Sequence, residues 1–166
     1  MSNEQHKDAP ALNLQRNVPA LVTFLANKLS TGASSVYREL FNVGIVEWKL
    51  LALLAVENGI TANRMCHVFG LDKAGISRSL KLLEKEQYVC SSVDTEDARR
   101  SIVWMTDKGR VLHDEIFEVA IARENLLLEG FSKKEIDTLI KLLNRLSERV
   151  TSVNDYRPTV KKNTPF

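Results

Sequence analysis

One stretch of this sequence breaks an otherwise helical rhythm, and that break constrains the fold more than any other feature. Apolar residues recur at helical spacing along most of the 166-residue chain. Tyr88 to Val93 (YVCSSV) and Ser101 to Met105 (SIVWM) instead alternate with the period of two that suits strands. The segment joining them, Asp94 to Arg100 (DTEDARR), is polar and ends in two arginines. A mainly α chain carrying one small β-hairpin is therefore expected.

The residues just upstream give the hairpin a context. Thr61 is placed to cap a short helix with Met65, Val68 and Phe69 on one face, and Gly70 then permits a left-handed turn. Leu71 leads to Asp72, a second cap, and Ile76, Leu80 and Leu83 fall on one side of the helix that follows. Ala74, Gly75, Arg78, Lys81, Leu82 and Lys85 must then face outward. The pattern is helix, tight glycine turn, helix, hairpin.

That outward face suits a DNA groove. A helix entering the major groove presents its N-terminal residues to the base edges, where small Ala74 and Gly75 leave room. Arg78, one turn on, offers a two-pronged donor to guanine, while Lys73, Lys81 and Lys85 suit phosphate oxygens and Ser77 suits either. Taken alone, such a helix reads first as a solvated surface helix. The arginine-tipped hairpin that follows marks the pair as a winged helix-turn-helix.

The flanks are helical. Asn17 caps a helix with Pro19 in its first turn, and Val18, Val22, Leu25, Leu29, Val36 and Leu40 recur as far as Phe41, with Gly32 a potential interruption. A second helix is expected from Val46 to Glu57, with Trp48, Leu51, Leu54 and Ala55 on its apolar face and Asn58-Gly59 as its stop. Asp107 to Glu129 forms another, ended by Gly130, and Ser132 with Glu135 makes a capping box that opens the last. There Ile136, Leu139, Leu143, Leu146, Val150 and Val153 follow a 3-4-3-4-3 spacing, the seam of a helix seeking another helix. Packing within the chain and contact with a second copy use the same pattern. Three long helices outside a compact middle expose more apolar surface than one small domain covers, which favours an intertwined homodimer.

The expected organisation is an arm (residues 1–16), an N-terminal dimerisation helix (17–43), a DNA-binding unit (44–106), C-terminal dimerisation helices (107–153) and a polar tail (154–166). Composition excludes several other classes. The net charge of +2 is too small to argue for nucleic acid by itself, so the case rests on where the charges sit. No apolar run reaches the ~18 residues of a spanning helix, and Met1 to Pro10 lacks a signal-peptide layout, so a cytoplasmic protein with no membrane partner is expected. Cys66 and Cys90 have no CxxC spacing and lie in apolar-periodic segments, so neither metal nor disulfide is expected and two buried thiols are. No HExxH, GxSxG or phosphate-cradling glycine loop is present, so neither an enzyme nor a cofactor is expected.

A family resemblance rests on the hairpin. Asp97-Ala98-Arg99, five residues and then Met105-Thr106 resemble the D-x-R-x-x-x-x-x-L-T signature of MarR-family regulators, and Thr106-Asp107-Lys108-Gly109 resembles that family's T-x-x-G. Leu71-Asp72-Lys73, Ile76-Ser77-Arg78 and Leu83-Glu84-Lys85 are similar to its recognition helix, and Val46-Glu47-Trp48 with the leucines that follow to its second helix. Met105 stands for the usual Leu, Gln87 where a Gly often ends the recognition helix, and Leu82 at a position often basic.

The resemblance implies a homodimeric repressor on a pseudo-palindromic operator. Arg99 would enter the minor groove, Asp97 would orient the hairpin tip, and Arg100 would meet a phosphate. It also implies release by a small aromatic or phenolic acid held between the dimerisation helices and the reading head. Tyr37, Arg38, Phe41, Trp48, His113 and Phe117 are the candidate lining, with Arg38 or His113 facing a carboxylate; the same aromatics also suit an ordinary core. A cysteine-based redox regulator and a protein-interaction module of the same fold are the alternatives.

Overall fold

A computed structural model describes residues 11–93 and 100–159. The elements in chain order are α1 (Val18–Phe41), α2 (Ile45–Val56), β1 (Ile60–Thr61), α3 (Ala62–Phe69), α4 (Lys73–Lys85), β2 (Val89–Val93), β3 (Ser101–Met105), α5 (Asp107–Leu127), α6 (Lys133–Ser147) and α7 (Val150–Asp155). The chain divides after Val119 into two compact units. The expected class, mainly α with a small β-hairpin wing, is the observed one.

In the first unit α1 opens as its sequence dictates. Asn17 Oδ1 accepts the Ala20 N–H at 2.9 Å, a proline occupies the first turn, and the helix runs uninterrupted through Gly32. It stops at Asn42, whose φ of 58° is left-handed and whose N–H donates to the Arg38 carbonyl. The core is centred on α2, where Leu50, Leu51 and Leu54 are wholly buried. Burial of each such side chain contributes about 1.5–3 kcal/mol.

The Asn58-Gly59 stop also stitches α2 to the sheet. Asn58 Oδ1 accepts the Met105 N–H at 2.9 Å. Gly59, at φ 80°, lies under the Trp104 ring, where a Cβ would come within 2.4 Å of ring carbons. Thr61, read from sequence only as a helix cap, also forms β1 with Ile60. They pair antiparallel with β3, Ile60 opposite Val103 and Thr61 opposite Ile102, and the sheet order is β1-β3-β2. Two residues are too few to show alternation, and their partner lies some forty residues away, so local period cannot reveal the strand. Thr61 still caps α3, its Oγ1 accepting the Arg64 N–H at 3.2 Å.

The hairpin register runs from Val89 opposite Met105 to Val93 opposite Ser101. Val89, Val103 and Met105 turn into the core. Cys90 and Trp104 pair on the other face, and both are exposed. The expectation of two buried thiols is thus corrected, Cys66 being half-buried and Cys90 exposed. Cys90 falls on the outward phase of a strand with only one covered face.

In the second unit α5 ends at Leu127, and Gly130 takes a φ of 85°. The Ser132–Glu135 capping box forms with both reciprocal bonds. The single last helix expected through Val153 is broken instead. Arg149 donates to the Leu146 carbonyl at 3.0 Å, a tightened i to i−3 turn, before α7 resumes the α pattern with Val153 donating to Arg149. Apolar spacing persists across the break, which is why the sequence read as one helix. No residue of α6 or α7 is buried. No helix among the described residues is long and apolar enough to cross a membrane.

Candidate nucleic-acid interface

The short helix α3 and the helix α4 are held at a fixed turn by Gly70, whose φ of 62° is left-handed. Asp72 caps α4, its Oδ1 accepting the Gly75 N–H at 2.8 Å. That bond, with smaller contributions from the Ala74 N–H and the charge of Arg78, holds the Asp72 carboxyl below the usual range. The helix buries Ile76, Ser79, Leu80 and Leu83. Lys73, Ala74, Arg78, Lys81 and Lys85 are exposed, and Gly75 and Ser77 half-buried, so the outward face is the one the sequence indicates. Leu82, 39% exposed, puts an apolar group among these cations.

The C-terminal end of α4 is closed without the usual glycine. Gln87 adopts φ 62°, its N–H donates to the Glu84 carbonyl at 2.9 Å, and the Tyr88 N–H donates to the Leu83 carbonyl at 2.9 Å. These are the two bonds of a Schellman motif, so the left-handed conformation is kept although the glycine is not. The T-x-x-G segment then docks on this turn. Thr106 Oγ1 donates to the Gln87 carbonyl at 2.7 Å and accepts the Gly109 N–H at 3.0 Å. Lys108 Nζ donates to the Glu86 carbonyl at 2.7 Å and lies 4.7 Å from the centre of the Tyr88 ring. At Gly109 a Cβ would stand 2.0 Å from the Tyr88 carbonyl oxygen, so only glycine lets α5 come this close to the end of α4.

The base of the wing shares a surface with the start of α4. Lys73, Arg100, Thr61, Ala62, Asn63 and Ser101 line one cleft of about 450 Å³. Asp97 and Arg99, the other two wing residues indicated by sequence, lie outside the described residues. No cluster of metal-ligating side chains occurs among the described residues.

The six candidate effector-lining residues do not converge on one cavity. Tyr37 meets Trp48 edge-on with centroids 6.0 Å apart, Trp48 stacks on His113 at 5.3 Å, and His113 on Phe117 at 5.9 Å. His113 Nδ1 lies 2.7 Å from Asp114 Oδ1. This ladder joins α1, α2 and α5, and Tyr37 is only 3% exposed. Arg38, the next residue round α1, lines other clefts: one of about 530 Å³ with Ser30, Thr31, Ser34, Ser35 and Ile45, and one of about 340 Å³ that reaches Arg78 and Leu82 of α4. Phe41 is half-buried at the end of α1. Ser79, which the sequence reading did not single out, and Glu47, named there only within the resemblance of the second helix, join α2 to α4. Ser79 falls three residues after Ile76 and four before Leu83, a spacing that already places it on the inward face.

Comparison with known proteins agrees with this geometry. No family model matches the chain. An uncharacterized HTH-type transcriptional regulator of Bacillus subtilis (strain 168), YwaE, is 26% identical over 140 residues, covering 84% of this chain and 80% of the relative. A MarR-family regulator from Listeria monocytogenes, solved in complex with a 26mer DNA, shares the fold at a TM-score of 0.78 and 19% identity, over 87% of this chain and 99% of that one. The crystal structure of a MarR/EmrR family transcriptional regulator from Acinetobacter sp. ADP1 superposes with a TM-score of 0.79 at 33% identity, covering 85% of this chain and 99% of its own. The chain belongs to the MarR family of transcriptional regulators.

Proposed function

We propose that this chain is a sequence-specific DNA-binding repressor that acts in the cytoplasm as a homodimer. Residues 44–106 form the reading head, and residues 17–43 and 107–153 supply the dimerisation helices. The observation that carries the reading is the outward face of α4, with small Ala74 and Gly75 first, Arg78 a turn later and Lys73, Lys81 and Lys85 around them. Arg78 reads a base edge, the lysines and Arg100 hold phosphates, and Ser77 reaches either. Asp97 and Arg99 complete the wing, with Arg99 in the adjacent minor groove.

The dimer is supported by unsatisfied apolar surface. Leu21, Val22, Phe24 and Leu25 of α1 and Leu139, Ile140, Leu142, Leu143 and Leu146 of α6 are all at least 43% exposed, more than an isolated soluble chain leaves uncovered. Two copies would set their reading helices ~34 Å apart on a pseudo-palindromic site. A small aromatic carboxylate that binds better to the dimer with the wrong spacing lowers DNA affinity by its differential affinity for the two shapes. Either Arg38, in the cleft that reaches Arg78 and Leu82, or His113, in the aromatic ladder, is the group suited to its carboxylate.

Selection of genomic fragments with the purified protein tests this reading. The expected result is enrichment of a pseudo-palindrome with half-sites about one helical turn apart, and release by aromatic carboxylates. Failure to enrich any sequence overturns it.

A further inference from the structure

Ser79 is the only buried residue with a polar side chain of the aliphatic kind among the described residues, at 7% exposure. It lies on the inward face of α4, where its neighbours Ile76, Leu80 and Leu83 pack by apolar contact alone. A hydroxyl taken out of water costs free energy unless it is bonded, and alanine would fill the same place with no polar group to satisfy. Ser79 is bonded. Its Oγ donates to Glu47 Oε1 at 2.6 Å, across 32 residues of sequence.

The Glu47 carboxylate has two tasks. Its Oε2 accepts the Gly44 N–H at 2.9 Å, which satisfies the N-cap backbone donor of α2; glycine has no side chain to return the bond. That task needs one oxygen, and the other reaches a different helix. The Glu47–Ser79 bond is the one side-chain hydrogen bond from α2 to α4 among the described residues.

Its direction matters because it is the side-chain bond beside Arg78; the other on the flank of α4, from Ser91 Oγ to the Glu84 carboxylate, ties its last turn to β2. The Asp72 cap and the Gln87 turn fix where the helix starts and stops. Apolar packing is non-directional and tolerates small rotations about the helix axis. Ser79 and Arg78 are successive residues, ~100° apart around that axis, so a bond that sets the direction of Ser79 also sets that of Arg78. A recognition side chain must be held to within ~0.5 Å and ~10–20° to keep its geometry.

We propose that Glu47 is a positioning residue for DNA reading: anchored in the α2 cap, it fixes the rotation of α4 through Ser79 and thereby aims Arg78. The proposal rests on α4 being the reading helix.

The test measures the affinity of the full-length protein for its selected duplex and for a scrambled duplex of equal length, alongside thermal melting. Ser79→Ala is expected to cut the preference for the selected duplex about tenfold, with affinity for the scrambled duplex and the melting temperature nearly unchanged. Glu47→Gln, which still accepts from Gly44 and donates to Ser79, should keep the preference to within about threefold, and Glu47→Ala combined with Ser79→Ala should discriminate no worse than Glu47→Ala alone. The proposal is overturned if Ser79→Ala discriminates as the parent does. It is equally overturned if Ser79→Ala weakens both duplexes in step with a fall in melting temperature, since a merely structural bond does that. Arg78→Ala in the same assay separates the two readings. If it abolishes discrimination while Ser79→Ala does not, positioning by Glu47 fails alone; if neither changes discrimination, the assignment of α4 fails with it.

Discussion

Helices α4 and α6 look alike as sequence and differ completely in what they cover. They are 13 and 15 residues long, each opens on a side-chain cap, Asp72 or Ser132, and each carries one apolar stripe. α4 buries Ile76, Leu80 and Leu83, whereas α6 buries nothing. Periodicity tells that a helix needs a partner; it does not tell where the partner is. For α4 the partners are α2, α3 and the sheet, within the same unit. For α6 the proposed partner is a second copy of the chain.

The largest effect that would sharpen this contrast comes from the close approach on the α4 side. Gly109→Ala sets a Cβ 2.0 Å from the Tyr88 carbonyl, backbone that cannot step aside, and is expected to destabilise the reading head by about 3 kcal/mol or more in chemical denaturation. Wild-type stability would break the account of the T-x-x-G segment. On the α6 side, Leu143→Glu buries a charge in the proposed interface and should shift the dimer toward monomer at a cost of about 2 kcal/mol or more, read by sedimentation, while helical circular dichroism stays. An unchanged sedimentation coefficient would place the α6 stripe outside the dimer contact.

Smaller effects follow at the ends of α4. Gln87→Gly removes the side chain from a left-handed residue and should stabilise the fold by about 1 kcal/mol, with DNA preference unchanged. A destabilised variant would mean that the Gln87 side chain makes a contact that outweighs the backbone term. Asp72 gives the smallest effect. Its carboxyl is held below its ordinary range by the Gly75 N–H, so it contributes stability above the unfolded pKa, and that contribution is lost as pH falls through the folded one. The melting temperature of Asp72→Asn should therefore fall less than the parent's on acidification below about pH 4. Parallel curves would deny Asp72 that role.

The same contrast explains what the sequence made legible. Features set by neighbours in the chain were readable: the Asn17, Thr61, Asp72 and Ser132 caps, the Gly70 turn, and the alternation of β2 and β3. Features set across the fold were not. β1 exists only because β3 lies beside it, and the Glu47–Ser79 bond joins residues 32 apart. The aromatic ladder shows the limit from the other side. Tyr37, Trp48, His113 and Phe117 do come together, yet Arg38, adjacent to Tyr37 in sequence, lines different clefts because successive helical residues diverge by ~100°.

The central claim is that the outward face of α4 reads DNA. It is tested most directly by comparing Arg78→Ala with the parent on the selected duplex and on single base-pair variants of it, at physiological salt. The account predicts that the variant loses ~1–3 kcal/mol of discrimination at one position in each half-site, while binding to scrambled DNA changes little. Discrimination at every position equal to the parent's would contradict it.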